Sequence, residues 1–204
     1  FYTLTDVNAL TNYEYKVYTV CSESNSTEIE GRFMTSYDQS DLRLIPFYQN
    51  FDQEGAASDF TFLQGTSNAW YVGTAENNTR DENDNLTQGG SLYISSDNGT
   101  TAGCDYSSTT NAYAYFYVNL QANTSYGLQF DWKAQGDSWN DDYLRVYLLR
   151  ADVELSSADL PYEGSLTDDL RGEDTWQSEG IVIDDTVSGV YKLVFAWHND
   201  SYGG

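Results

Sequence analysis

Two stretches decide the fold: Tyr113-Ala114-Tyr115-Phe116-Tyr117-Val118-Asn119 and Val190-Tyr191-Lys192-Leu193-Val194-Phe195-Ala196-Trp197. Side chains alternate across a strand with period two. In both stretches bulky residues fall on odd and even positions near the middle, so both faces of the strand need cover. Leu144-Arg145-Val146-Tyr147-Leu148-Leu149 reads the same way. These are the patterns of central strands in a layered β-protein.

Outward from them, shorter strands are expected at 47–51, 60–63, 70–72, 91–95, 126–133, 142–149 and 176–183, separated by Gly-rich loops at near-regular spacing. Residues 151–160 could hold one short helical turn. Toward the N-terminus, Tyr13-Glu14-Tyr15-Lys16-Val17-Tyr18-Thr19-Val20 alternates strictly. Turn chemistry follows at Ser22-Glu23-Ser24-Asn25-Ser26, and Ile29-Glu30-Gly31-Arg32-Phe33-Met34-Thr35 reads as a second strand. Residues 37–46, ending in Pro46, read as a linker. The fold class is all-β: an antiparallel jelly-roll sandwich over 47–204, preceded over 1–36 by part of an immunoglobulin-like sandwich.

Composition narrows the function. A net charge of −23 would suit a disordered acidic tail, but 18 Tyr, 9 Phe and 5 Trp among 204 residues do not. The acidic balance repels nucleic acid and anionic membrane surfaces and is compatible with divalent cations. No apolar run reaches the roughly 20 residues of a membrane span, and the start at Phe1-Tyr2-Thr3 has no basic leader. Cys21 and Cys104 lie far apart in sequence. One long-range disulfide and two separate thiols both fit. Sequons stand at Asn25, Asn77, Asn85, Asn98, Asn123 and Asn199.

Catalytic patterns are poor. His198 is the one histidine, and no Gly-x-Ser-x-Gly elbow is present. One histidine and two distant cysteines do not make a usual zinc site. Asp141-Asp142, Asp168-Asp169 and Asp184-Asp185 are adjacent pairs. On a strand, neighbours point to opposite faces, so such doublets are not catalytic pairs in themselves. The expectation is a protein that is not an enzyme.

Ordered motifs carry a family resemblance. Phe51-Asp52, Asn68-Ala69-Trp70-Tyr71-Val72-Gly73-Thr74, Gly89-Gly90-Ser91-Leu92-Tyr93-Ile94-Ser95-Ser96-Asp97, Phe130-Asp131-Trp132-Lys133 with Tyr143-Leu144-Arg145-Val146, and Leu193-Val194-Phe195-Ala196-Trp197-His198-Asn199-Asp200 appear in order. The set resembles a jelly-roll module of Bacteroidetes surface proteins, the group of cleaved-adhesin and choice-of-anchor domains, distantly like MAM domains. Leu10, Tyr13, Tyr15, Val17, Val20-Cys21 and Phe33-Met34-Thr35 resemble the C-terminal half of a fibronectin type III domain. The resemblance implies a secreted, cell-surface adhesion module that binds a glycan or a surface protein and adjoins neighbouring domains or copies of itself. A structural spacer, a filament-forming module and an accessory domain of a secreted hydrolase are the alternatives. It also implies that the last jelly-roll strand follows Gly204, and that a structural Ca²⁺ lies at Asp52, with Glu54 as a further ligand. A second acidic run, Asp81-Glu82-Asn83-Asp84-Asn85, reads as a solvated loop or a calcium loop; it lacks the Gly and Glu of an EF-hand. For ligand binding the expected residues are Trp139, Asn140 and Asp141, in a polar loop where a ring could stack on a sugar. The other reading of Trp139 is a ring folded over the hairpin tip.

Overall fold

The computed structural model describes residues 3–4, 12–20, 27–35, 42–76, 79–80, 86–87, 89–135, 142–184 and 186–201. The chain divides into two compact units, Phe1–Asp41 and Leu42–Gly204.

In the first unit, strands β1 (Asn12–Val17) and β2 (Ile29–Met34) pair antiparallel, from Asn12 opposite Met34 to Val17 opposite Ile29. Tyr13 stacks on Phe33 with centroids 5.5 Å apart. Tyr15 faces Gly31, where an added Cβ would lie 2.4 Å from the ring. The aromatic covers the glycine, a cross-strand pairing that fixes register. Lys16 reaches Glu28 at 2.7 Å and Glu30 at 2.5 Å, which raises its pKa. The β1–β2 ladder ends at Val17, and Val20, where the strand was expected to end, forms only a bridge; Val17 and Val20 are exposed.

The second unit contains β3 (Leu42–Arg43), β4 (Thr61–Leu63), β5 (Ala69–Gly73), β6 (Thr79–Arg80), β7 (Leu86–Thr87), β8 (Ser91–Ser95), β9 (Thr110–Leu120), β10 (Tyr126–Ala134), β11 (Tyr143–Arg150), β12 (Glu173–Ile183) and β13 (Gly189–Asn199). One five-stranded sheet runs β11-β13-β9-β3, with β4 also on β9. The free edge of β9 is shared: β3 pairs parallel at Tyr117 and Val118, and β4 antiparallel at Tyr113 to Tyr115. β10–β12, β5–β8 and β6–β7 form antiparallel pairs. The fold is an all-β sandwich. Its main core gathers Phe60, Trp70, Ile94, Ala114, Phe116, Val146, Leu193 and Trp197, with Leu128, Phe130, Trp132 and Ile181 of the β10–β12 pair packed against it. β9 and β13 are central strands, as their two-sided patterns require.

Local structure departs from the sequence reading in three places. Residues 47–51 form no strand: Phe51 sits at φ 64°, and a Cβ on Gly90 would lie 2.0 Å from its carbonyl oxygen. Phe47 still packs on Phe116 at 4.9 Å, so its aromatic character reports the core and not a strand. Part of the expected linker is sheet, because Leu42–Arg43 is β3 and Arg43 donates to the carbonyls of Asp59 (3.1 Å) and Ser58 (2.8 Å). Residues 151–160 form no helix; the one 3-10 turn among the described residues is Ala56–Asp59. The carbonyls that a helix at 151–160 would use internally accept from sheet side chains instead. Tyr113 donates to Ser156 and Asp159 (2.9 and 2.8 Å), Asn111 to Ser157 (3.1 Å) and Lys192 to Val153 (2.5 Å). Trp70 and Trp197 are buried and Trp132 is half-buried against the core, whereas Trp176 stands at its margin beneath the Lys133 ammonium (5.7 Å).

Candidate functional site

β11 sends Leu144, Val146 and Leu148 toward the main core and Tyr143, Arg145, Tyr147 and Leu149 to the other face of the sheet. One edge of β11 pairs with β13. Along the other edge runs the segment 164–170. Leu148 donates to Gly164 (2.8 Å), Leu166 to Val146 (2.8 Å), and Leu144 and Leu170 exchange two bonds (3.0 and 2.8 Å). Ser165 faces Tyr147 and Leu170 faces Leu144. The outer segment therefore carries two more residues than the strand it follows, and it bulges. Inside the bulge the Thr167 hydroxyl accepts from the Val146 amide (3.0 Å), standing in for the displaced backbone carbonyl.

The bulge opens a groove of about 550 Å³ lined by Arg145, Ser165, Thr167, Asp168, Asp169 and Arg171. Arg145 holds Asp169 through Nε (2.7 Å) and through Nη2, and donates to the Tyr147 hydroxyl (3.2 Å). Arg171 binds the other Asp169 oxygen at 3.2 Å. The Arg145 guanidinium also lies 4.9 Å from the centre of the Tyr143 ring. Burial works against the Arg145 charge, yet the bonds to Tyr147 and Asp169 carry its pKa above the ordinary arginine value. Burial pushes the Tyr143 phenol up, against the pull of Arg145. Tyr143 in turn packs on His198 (5.0 Å between centroids), whose Nδ1 is 2.6 Å from Asn111 Oδ1. The result is a fixed, hydrogen-bonding wall with an aromatic margin. Such a wall recognises hydroxyl-bearing or polar ligands, not an apolar one.

The sequence reading missed Arg145 and placed Asp168 and Asp169 on opposite faces. Both line the groove, because the bulge breaks the alternation on which that reading rested. The available signal was Leu166-Thr167-Asp168-Asp169-Leu170, two core-seeking leucines four apart with polar residues between. Glycoside hydrolysis needs two carboxylates facing each other across a cleft. These two are neighbours on one wall, and Asp169 is clamped by two arginines.

Trp139, Asn140 and Asp141 lie outside the described residues, as do the acidic run 81–85 and Cys21. The flanks of the Trp139 loop are described: Gly172 donates to the Gln135 carbonyl (3.1 Å) and Asp200 to Asp142 Oδ1 (3.1 Å). Asp52 accepts from the Gly90 amide (2.7 Å) with one oxygen and from Asn50 Nδ2 (3.1 Å) with the other. Glu54 is exposed. Calcium takes six to eight oxygens; among the described residues no three His, Cys, Asp or Glu side chains converge. The Asp52 carboxylate, with amide donors on both oxygens, ties its loop to Gly90 at the start of β8. Cys104 is a free thiol, pushed up to about 12 by burial and then by the Asp142 charge. Asn199 is fully buried, bound to Asn68, Ser108 and Asp200, so its sequon is closed to a glycan.

Among the described residues no helix is long and apolar enough to cross a membrane. No family model and no curated protein matches the sequence. Among the solved structures similar to this chain are two that match it at low identity. The K1 cleaved adhesin domain of Lys-gingipain from Porphyromonas gingivalis W83 has 16% identity and a TM-score of 0.44, covering 74% of this chain and 93% of that one. A structure of carbohydrate-binding modules from the β-sandwich superfamily has 13% identity and a TM-score of 0.34, covering 95% of this chain and 69% of that one.

Proposed function

We propose that this chain is a non-catalytic, extracellular binding module of a larger surface protein, and that it takes a glycan along the β11 edge. The observation that carries the reading is the groove itself. It joins two guanidinium groups, two carboxylates and two hydroxyls in one wall beside Tyr143. Sugars present dense hydroxyls above apolar ring faces, and polar groups beside an aromatic suit both parts. The wall is held from behind by backbone pairing on β11, so little ordering is needed when a ligand arrives. A finer part of the same proposal treats the β1–β2 pair as the end of a fibronectin type III-like neighbour, supported by its antiparallel register.

A glycan array, run with Ca²⁺ and with chelator, tests the reading with the wild-type chain and Asp168→Ala. Asp168 is exposed, so its truncation leaves the core alone. We expect wild-type binding to a defined set of glycans and a loss of roughly tenfold to a hundredfold in the variant, the range for a charged hydrogen bond. Equal binding by the two proteins, or none by either, overturns the groove as a glycan site. Loss of wild-type binding with chelator would bring a cation into recognition.

A further inference from the structure

We infer that Tyr162 is the stacking platform of the groove and that the ligand is a neutral, hydroxyl-rich polysaccharide. The inference rests on the reading of the groove as a glycan site and names its ligand class. Tyr162 is 98% exposed, the most open of the large apolar side chains among the described residues. A single exposed ring is ordinary; what marks this one is how it is held. Pro161 before it fixes one backbone angle. Gly164 after it sits at φ 84°, and a Cβ there would lie 2.8 Å from the Leu148 carbonyl oxygen, so the turn closes tightly on β11. The Gly164 carbonyl accepts from Leu148, and Leu160 packs into the second apolar cluster. Both ends of the turn are anchored while its tip projects a bare ring. Ser165, the first lining residue of the groove, is three residues on, within about 11 Å of chain reach. The ring thus stands on the turn that leads directly into the wall.

Charge decides the ligand class. The chain carries nine Lys and Arg against 32 Asp and Glu, and two of those nine line this groove. Both are engaged with Asp169, and with Asp168 beside them the two guanidinium groups face two carboxylates, so the groove carries no net positive charge for a carboxylate or sulfate. Asp168 remains an exposed acceptor with no hydrogen bond among the described residues. Such a carboxylate takes hydroxyl donors and repels anions, and the net charge of −23 adds to that repulsion.

Affinity electrophoresis tests this on the full chain. Gels would contain neutral polysaccharides (a glucan, a mannan, a xylan) or anionic ones (a galacturonan, a sulfated galactan). The proteins would be wild type, Tyr162→Ala and Asp168→Ala, each checked by thermal melting. Retardation of wild type in at least one neutral gel, weakened roughly tenfold by Tyr162→Ala, is expected. Retardation lost in Asp168→Ala but kept in Tyr162→Ala overturns the platform and spares the groove. Retardation in anionic gels alone overturns the ligand class. Retardation untouched by either substitution, or none in any gel, overturns the groove and the inference together.

Discussion

On the inner face of the five-stranded sheet, Ala112, Ala114, Phe116 and Val118 of β9 meet Leu193, Phe195 and Trp197 of β13, all within the main core. On the outer face the same strands carry Tyr113, Tyr115, Tyr117 and Lys192, beside Arg145 and Tyr147 of β11. Both faces bury large side chains, and Tyr113 is as inaccessible as Ala114. The difference lies in what covers them. The inner face is covered by other strands, whose side chains are apolar and need only volume. The outer face is covered in part by the irregular loop 151–160, whose backbone carbonyls need donors, and Tyr113, Asn111 and Lys192 supply them. The comparison teaches why one sheet can be a core wall on one side and, where the loop gives way to the 164–170 bulge, a polar binding wall on the other.

The sharpest way to break the comparison is on the inner face. Phe116 packs against Phe47 and Phe60 at 4.9 and 5.5 Å. Phe116→Ala should cost about 3–5 kcal/mol, the usual sum of lost burial and cavity. Urea unfolding followed by tryptophan fluorescence reads it as a lower midpoint. A loss below about 1 kcal/mol would mean that the inner face is not the main store of stability.

Tyr113→Phe cuts the outer face more gently. The ring stays, and the one hydroxyl proton shared between two loop carbonyls goes. A loss of about 1–3 kcal/mol is expected, because the carbonyls of Ser156 and Asp159 lose a buried donor. The effect should be local as well as global. Amide exchange across 151–160 should accelerate more than exchange in β9. Uniform acceleration would show that the loop is not held by these bonds.

These faces were legible to different degrees. The inner face was readable because β9, β11 and β13 announce burial through two-sided runs of apolar residues. The outer face looked equally apolar in sequence, since Tyr113, Tyr115 and Tyr117 differ from core residues only by their hydroxyls. Nothing local says that the Tyr113 hydroxyl will meet carbonyls more than 40 residues away. β3 has two residues and no period to read. The groove was hidden for a related reason. A bulge is a mismatch between two strands, and 164–170 reveals one only once it is laid against 144–148. The expectation of ligand residues at Trp139, Asn140 and Asp141 rests on loop polarity, a signal that no alternation can check.

Lys192 offers the smallest test and the most specific to the outer face. It is 7% exposed, donates to the Val153 carbonyl, and lies 5.7 and 5.9 Å from the Tyr115 and Tyr117 ring centres. Burial lowers its pKa, opposed by the charges of Asp152 and Glu154. Lys192→Met removes a buried cation and also strands a carbonyl. These oppose one another, and the net change near neutral pH should stay within about 1 kcal/mol. The pH dependence separates them. Between the lowered folded pKa and the unfolded value near 10.4, the unfolded chain binds more protons than the folded one. Wild type should therefore gain stability relative to Lys192→Met as pH rises through the interval just below about 10.4. Burial also raises Tyr93, Tyr113 and Tyr143, which favours the folded state less as pH climbs past about 10, but that trend is common to both proteins and cancels in the difference. Parallel stability curves for the two proteins between pH 8 and 10.5 would show that Lys192 is solvated, and that the outer face is more open than the inner one by more than its covering loop implies.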